Sequence, residues 1–317
     1  MKRFINGLKN GFMTAILVCI MLFFVQGFSN GSNLKFAIIS DAHFLANGSN
    51  TTFKMIAETP NLIDDAISQV NETPNVDFTI FTGDLIDKPF EKELHAVLPH
   101  IAKLHTPWYF IFGNHDVCVG GYLTKKVYFN ILREINPDFK YEKSYYSFVP
   151  KAGYKAIVLD SIIDTEVTSQ GYIGKEQLEW LDNELSKSQK DVVLIFMHMP
   201  LVEPFPSPGH KLRNDGEVMA VLKKYKNPIG VFTGHYHTAK IEQQDNIIFV
   251  STPSLASYPN AFRMINITTR RNKVIFDIKF NPTRLTNVQK LSKIMVFHSS
   301  LYAGEEKDQS AVLTVKR

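Results

Sequence analysis

The sequence predicts an α/β fold in which short buried strands alternate with amphipathic helices. Five apolar runs are each followed at once by polar residues, and the runs are apolar nearly throughout, as in strands covered on both faces. Segments with helical spacing of apolar residues lie between several of these runs. Such alternation is typical of a sheet whose functional site lies at the carboxyl ends of the strands.

The five predicted strands are followed by side chains that can bind metal ions or transfer protons. In chain order, LKFAIIS precedes Asp41 and His43, DFTIFTG precedes Asp84, PWYFIFG precedes Asn114, His115 and Asp116, DVVLIFM precedes His198, and PIGVFTG precedes His235 and His237. Because all five clusters follow a strand in the same way, we expect them to meet at one edge of the fold.

Three segments between the strands predict helices. Residues 59–73 place Leu62, Ile63, Ala66, Ile67 and Val70 on one face, and residues 174–188 align three leucines. Residues 90–104 form the third candidate, which Pro99 should kink or shorten. Two further strands are expected within residues 145–160, and the chain remains β-rich from 247 to 280. A single catalytic domain is expected over residues 34–282, with residues 283–317 as a C-terminal extension.

The first residues have the pattern of a targeting segment. Lys2, Arg3 and Lys9 precede an apolar run from Phe12 to Val25, and this run is shorter than the ~20 residues that a spanning helix needs. Residues 1–29 are therefore predicted to be a signal peptide, which would make the protein extracytoplasmic, either secreted or periplasmic. The alternative is an uncleaved N-terminal anchor, with membrane association through residues 11–28.

Composition excludes some classes of protein. The formal net charge is +4, and much of it lies in the N-terminal segment. The rest of the chain is close to neutral, whereas a nucleic-acid binder needs a basic face to pair with phosphate backbones, so no nucleic acid is expected as a partner. After the predicted cleavage only Cys118 remains, so no internal disulfide can form, and we expect this residue to be a small buried neighbour of the polar cluster.

The polar clusters form a mixed set of oxygen and nitrogen ligands. Asp41 and His43 are two residues apart, as are His235 and His237, and alternate side chains of an extended segment point the same way. Imidazole and carboxylate suit Mn, Fe, Zn, Co or Ni rather than Ca. Seven such ligands are too many for one ion and suit two ions that share a carboxylate. His210, in a loop rich in proline and glycine, is a further candidate to line a pocket.

The order of these motifs resembles the signature of the calcineurin-like metallophosphoesterases. The motifs are D-x-H from Asp41, G-D at Asp84, G-N-H-D from Gly113, a single histidine at His198, and G-H-x-H from Gly234. The resemblance implies a two-sheet mixed β-sandwich flanked by helices, with two divalent or transition metal ions. It also implies the ligand sets, which are Asp41, His43 and His237 for the first ion, Asn114, His198 and His235 for the second, and Asp84 as the bridge.

The same resemblance implies hydrolysis of a phosphate ester by a hydroxide that the two ions activate. His115 would protonate the leaving group or stabilise the transition state, and Asp116 would hold its imidazole in place. Relatives of the purple acid phosphatase type have a tyrosine ligand three residues after the bridging aspartate. Here Asp87 stands at that position, so a tyrosinate–iron site is not expected.

The substrate is less well defined by the sequence. Residues 171–185 and 251–267 look like the branch that contains bacterial cyclic-nucleotide phosphodiesterases, which favours a small phosphodiester with cyclic nucleotides as one candidate. Three alternatives stay open. They are a nucleotide or lipid-linked pyrophosphatase, a phosphomonoesterase with the same site, and a metal-binding scaffold without catalysis.

Overall fold

The computed structural model describes residues 32–137 and 139–317. The predicted signal peptide or anchor, residues 1–29, lies outside the described residues. Within the described ranges, no helix combines the length and the apolar character needed to cross a bilayer.

Strands and helices alternate along much of the chain. The strands are β1 (Asn33–Ile39), β2 (Phe78–Phe81), β3 (Trp108–Phe110), β4 (Tyr146–Lys151), β5 (Tyr154–Val158), β6 (Val192–Phe196), β7 (Ile229–Thr233), β8 (Lys240–Gln244), β9 (Ile247–Ser251), β10 (Ala261–Thr269), β11 (Lys273–Pro282) and β12 (Ala311–Lys316). The helices are α1 (Thr59–Glu72), α2 (Glu91–Ile101), α3 (Asn114–Val117), α4 (Lys125–Ile135), α5 (Lys175–Lys187), α6 (Asp215–Leu222), α7 (Thr286–Met295), α8 (Ser299–Ala303) and α9 (Glu306–Gln309).

The strands form two mixed sheets of six strands each. The first has the order β12-β11-β10-β1-β2-β3, in which β1, β2 and β3 are parallel. The second has the order β4-β5-β6-β7-β9-β8, in which β5, β6, β7 and β9 are parallel. This arrangement confirms the predicted two-sheet sandwich. The parallel strands of each sheet end at a common edge, where their following loops can meet.

Aromatic side chains from both sheets form the centre of the core. Phe36 on β1 stacks on Phe78 of β2 with ring centroids 4.8 Å apart. The same ring meets Phe196 of β6 and Phe232 of β7 edge-on, at 5.6 and 5.3 Å. All four rings are buried, so this contact removes a large apolar area from water and fixes the sheets face to face.

The three predicted helices are present as α1, α2 and α5, and their apolar faces are buried except at Leu178 of α5, which is half-buried. In α1 the five residues expected to share a face are all buried: Leu62, Ile63, Ala66, Ile67 and Val70. Pro99 lies in the last turn of α2, which ends at Ile101 rather than at 104. A proline near a helix end removes few hydrogen bonds, so it shortens this helix without dividing it.

The residues predicted as a C-terminal extension belong to the same domain. β12 pairs with β11 from Lys273↔Lys316 to Ile278↔Ala311 and becomes the outer strand of the first sheet. The boundary expected at residue 282 is therefore wrong as a structural boundary, because Pro282 ends a strand whose partner comes later in the chain.

Arg263 on β10 fixes this C-terminal part to the sandwich. Its guanidinium is fully buried and donates hydrogen bonds to the backbone carbonyl of Ser251 at 2.9 and 3.1 Å. It also donates to the carbonyls of Asp308 and Gln309, each at 2.8 Å. An arginine within a strand gives no sign in the sequence that it will bind carbonyls 45 residues later.

Candidate metal centre

The seven predicted metal ligands lie together at the edge where the parallel strands end. Each is buried, and each follows a strand within a few residues. They are Asp41 and His43 after β1, Asp84 after β2, Asn114 after β3, His198 after β6, and His235 and His237 after β7. The first sheet therefore supplies four side chains and the second sheet three.

Five of these residues have a left-handed backbone. Their φ angles are 51° for Asp41, 46° for His43, 51° for Asp84, 71° for His235 and 55° for His237. For residues other than glycine this conformation costs on the order of 1 kcal/mol or more each, and it persists only where the surroundings fix it. The expectation that each i,i+2 pair converges because its segment is extended was therefore wrong. Both pairs converge because the chain turns sharply at each member.

The ligand atoms form two groups that share Asp84. In the first, His43 Nε2 lies 3.1 Å from His237 Nε2 and 3.6 Å from Asp84 Oδ2, and Asp41 Oδ1 lies 3.4 Å from His237 Nε2. The second group is formed by Asp84, His198 and His235, and Asp84 Oδ2 lies 3.5 Å from His198 Nε2. Within each group the ligand atoms are within 4.8 Å of one another.

Three buried atoms of this cluster have no hydrogen-bond partner among the described residues. They are Asn114 Oδ1, His198 Nε2 and His235 Nε2. An unsatisfied buried polar group costs about 1–3 kcal/mol, so three at one place indicate a missing partner. His198 Nδ1 donates to the Thr82 carbonyl at 2.8 Å, which directs the lone pair of Nε2 towards the cluster. An amide oxygen and two imidazole nitrogens fit a transition ion.

Burial and neighbouring charges keep most of the ligand atoms unprotonated. Burial, together with Lys54, lowers the pKa of His43 to about 3, and burial, together with His198, lowers the pKa of His235 to about 3. Burial opposes the charge of Asp41, but the neighbouring His237 lowers its pKa to about 2.

His198 differs from the other histidines because it faces carboxylates. Burial alone would lower its pKa, but the carboxylates of Asp84 and Asp41 raise the pKa to about 9. The same attraction, mainly from His198 and His115, holds the pKa of Asp84 well below its usual range despite burial. Without metal ions, a proton on His198 therefore compensates part of the buried negative charge.

Asp116 does not contact the imidazole of His115, so its expected role was wrong. Its Oδ2 accepts hydrogen bonds from the backbone nitrogens of Asp84 and Gly113, at 2.8 and 2.7 Å. Its Oδ1 accepts from the backbone nitrogens of Leu85 and Ile86, at 3.0 and 3.2 Å, and from the Tyr128 hydroxyl at 3.1 Å. These five hydrogen bonds occupy both carboxylate oxygens. Through them, Asp116 fixes the loop that carries Asp84.

His115 is held instead by Asp87 and Asp84. Its backbone nitrogen donates to Asp84 Oδ1 at 2.8 Å, and its Nδ1 donates to the Asp87 carbonyl at 2.8 Å. The Asp87 carboxylate lies 3.8 Å from the same Nδ1. His115 lies in the one-turn helix α3 with 22% of its side chain exposed, so its ring borders the open side of the cluster.

The positions of Asp87 and Lys54 beside the cluster were not predicted from the sequence. Asp87 Oδ1 lies 3.1 Å from His43 Nδ1 and forms an ion pair with Lys54, whose Nζ is 3.2 Å from the same nitrogen. A carboxylate behind a ligating imidazole fixes its orientation and increases its basicity. The sequence offered one signal for Asp87, its position three residues after Asp84. That position served above only to exclude a tyrosine ligand.

Two loops supply rings at the rim of the cluster. Phe53 stacks on His237 with ring centroids 5.1 Å apart, and the His210 ring lies 5.6 Å from that of His235. His210 therefore lies beside the His235 ring, and its role in lining a pocket stays a prediction. Cys118 is buried beside the cluster, with its Sγ 3.4 Å from the Ile163 carbonyl, as expected of a packed neighbour.

Comparison with known proteins supports the same interpretation. The family profile for calcineurin-like phosphoesterases matches residues 34–239. A manganese-dependent ADP-ribose/CDP-alcohol diphosphatase from Oryza sativa is 26% identical, over 64% of this chain and 77% of the relative. A probable cyclic nucleotide phosphodiesterase from Fibrobacter succinogenes is 27% identical, over 70% and 79%. A probable glycerophosphodiester phosphodiesterase from Arcobacter nitrofigilis is 28% identical, over 68% and 76%.

A solved structure shares the fold. The crystal structure of a dimetal phosphatase from Danio rerio superposes with a TM-score of 0.62 and 16% identity, covering 78% of this chain and 96% of the other. At this identity the likeness concerns the arrangement of the two sheets.

Proposed function

Since the chain belongs to the calcineurin-like phosphoesterase family, it is a metal-dependent hydrolase of phosphate esters, and we propose that its substrate is a small phosphodiester. The observation that supports catalysis most directly is the ligand cluster around Asp84. Three of its buried ligand atoms have no partner within the described ranges. A scaffold that had lost its metal ions would have no reason to retain unsatisfied buried atoms.

The proposed ligand sets are the two groups of atoms, with Asn114 added to the second because its buried Oδ1 has no partner among the described residues. One ion would be held by Asp41, His43 and His237, and the other by Asn114, His198 and His235. Asp84 would bind both ions. Two such ions, when bound, polarise the phosphoryl oxygens and lower the pKa of water so that hydroxide is available near neutral pH. Manganese is the proposed metal, because the ligands are mixed oxygen and nitrogen and one relative is named as manganese-dependent.

His115 is proposed as the general acid for the leaving oxygen. Its Nδ1 is occupied by the Asp87 carbonyl, so Nε2 is the nitrogen left to exchange a proton with substrate. The Asp87 carboxylate lies 3.8 Å from the same Nδ1, so Asp87 holds the ring in position for proton transfer at Nε2. Asp87 thus takes the positioning role that the sequence had suggested for Asp116.

Two observations favour a diester over a monoester. Relatives that match over more than two thirds of this chain are named as phosphodiesterases for cyclic nucleotides and glycerophosphodiesters. The ring of Phe53, stacked on His237, also gives the rim an apolar face against which a second ester group can pack. Cyclic nucleotides are the finer proposal within this class.

A substrate panel combined with metal analysis tests the proposal. Protein loaded with manganese should hydrolyse a bis-aryl phosphate faster than a mono-aryl phosphate, and cyclic AMP and a nucleotide sugar extend the panel. Asp84→Asn should lose both metal content and turnover, because the shared carboxylate loses one ligand oxygen. Activity confined to the monoester would refute the diester preference. Two bound ions per chain with no turnover of any substrate would favour the scaffold alternative.

Export is proposed on the sequence pattern of residues 1–29. A cleaved signal peptide would leave a mature chain that begins near residue 30. N-terminal sequencing of protein purified from the cell envelope and the medium tests this expectation. An intact Met1 in membrane-bound protein would support the anchor instead.

A further inference from the structure

The segment of residues 284–304 exposes an apolar surface that the proposed chemistry does not use. Exposed fractions reach 81% for Ile294 and 83% for Phe297, and lie near 40% for Leu291, Met295 and Leu301. These side chains lie on α7, on α8 and at the turn between them. Elsewhere in the described residues, exposed large apolar side chains are separated along the chain. A concentration of apolar side chains in solvent marks an interaction surface.

The same segment carries only positive charge. Residues 284–304 contain Arg284, Lys290 and Lys293 and no aspartate or glutamate. Arg284 forms an ion pair with Glu72, whereas Lys290 and Lys293 are exposed on α7 among the apolar side chains. The surface therefore combines protruding apolar groups with flanking ammonium groups.

The segment is a fixed part of the domain. The Tyr302 carbonyl accepts a hydrogen bond from the Ala239 backbone nitrogen at 3.0 Å, and Val296 and Ser292 are buried. His298 has a φ of 57° at the turn between α7 and α8, directly after the exposed Phe297. Phe297 is thus exposed on a segment whose backbone is bonded to the rest of the domain.

We propose that residues 284–304 dock the protein onto an anionic lipid surface, with Ile294 and Phe297 inserted among the lipid head groups and with Lys290 and Lys293 facing lipid phosphates. Apolar side chains flanked by lysine are the composition that binds such an interface, since burial and charge attraction then add. The proposal does not depend on which phosphate ester the enzyme hydrolyses.

A second copy of the chain fits this surface less well. In a two-fold interface the same patch faces itself, so Lys290 and Lys293 of both copies would approach one another. Like charges at an interface oppose association, whereas anionic lipid neutralises them.

The docking surface lies beside the entrance to the metal centre. The Tyr302 ring of α8 meets the Phe53 ring at 5.2 Å, and Phe53 stacks on His237. Lys293 Nζ lies 5.9 Å from the ring of Tyr258, which follows Ser257, the hydrogen-bond partner of His237. A docked protein would therefore hold its site entrance close to the lipid head groups.

A tryptophan probe tests insertion independently of any contribution from residues 1–31. Full-length Phe297→Trp is mixed with vesicles of phosphatidylglycerol and acyl-brominated phosphatidylcholine, and its fluorescence is compared with that of the unsubstituted protein. Val167→Trp, at a residue 78% exposed outside the segment, is the matched control. We expect quenching of the probe at 297 and none at 167.

The charge contribution is tested with Lys290→Gln/Lys293→Gln in the Phe297→Trp background. At about 1 kcal/mol per lysine, the two changes should weaken vesicle binding roughly thirtyfold. Vesicles of neutral phosphatidylcholine should quench little. No added quenching at 297 with anionic vesicles would overturn the proposal. The proposal would also be overturned if sedimentation showed that Ile294→Ser converts a dimer to a monomer while vesicle binding stays unchanged.

Turnover separates this inference from the proposed function. Phe297→Ser and Ile294→Ser should hydrolyse a soluble bis-aryl phosphate at the unsubstituted rate, because neither side chain contacts the ligand cluster. Loss of soluble turnover in both variants would show that the segment supports the site itself, which would contradict a role limited to docking.

Discussion

Replacing Asp116 by asparagine should destabilise the protein and reduce its metal content. The carboxylate accepts two hydrogen bonds at Oδ2 and three at Oδ1. An asparagine has one accepting oxygen, so its amide group must face at least two donors. In the less damaging orientation, the backbone N–H groups of Asp84 and Gly113 lose their partner. Each unsatisfied buried N–H costs about 1–3 kcal/mol, so unfolding should require about 2–6 kcal/mol less free energy.

Urea unfolding of the metal-free proteins measures this difference directly, and Tyr128→Phe is the matched control. That substitution removes one of the five donors and leaves no backbone group unsatisfied, so we expect a loss of only about 1 kcal/mol. Metal content should fall in Asp116→Asn because one of the lost bonds holds the Asp84 backbone. A loss below about 1 kcal/mol, together with full metal content and an altered pH–rate profile, would refute this reasoning and restore a role for Asp116 in orienting His115.

Three further predictions concern the cluster. His115→Ala should keep full metal content and lose about 10²- to 10⁴-fold in turnover, most strongly for aryl esters with poor leaving groups, and an equal loss for all leaving groups would contradict a general acid. Gly113→Ala should lose metal content, because a Cβ there would overlap the Asp84 carboxylate and backbone nitrogen; Gly174→Ala, where a Cβ meets nothing within 4 Å, should keep it. In the metal-free protein the pKa of His198 is raised to about 9. The protonated imidazole therefore stabilises the folded metal-free protein fully below pH 6.5, and this stabilisation is lost as the pH rises through about 9. A metal ion must displace this proton, so its apparent affinity should rise up to tenfold per pH unit between pH 6.5 and about 9 in competition titrations. A metal affinity that does not change with pH would contradict displacement of the His198 proton.

Much of the fold could be predicted because local patterns determine it. The strands that end before the site are apolar nearly throughout since both faces are covered, and the apolar face of α1 follows the helical period. The place of β12 could not be predicted in this way. Its burial alternates weakly, and its position depends on pairing with β11 and on carbonyls bound by the buried Arg263.

The ligand positions were predictable because they follow strands in recurring motifs, but the contacts around them were not. Asp87 and Asp116 are both aspartates near the cluster, and nothing in their sequence spacing states which one meets His115. Asp116, the carboxylate next to His115 in sequence, turns to the loop that carries Asp84. Asp87, which follows β2, lies beside the imidazoles of His43 and His115 instead. Such choices depend on three-dimensional packing.

The contact between His43 and His237 determines the earliest time at which the site can form during synthesis of the chain. Their Nε2 atoms are 3.1 Å apart, but 194 residues separate them along the chain. At roughly 5–20 residues per second, the second histidine emerges on the order of 10–40 seconds after the first. During that interval the early ligands Asp41, His43 and Asp84 are present without their later partners. A nascent chain therefore offers only an incomplete set of ligands, and selection of the correct metal must wait until both sheets have assembled.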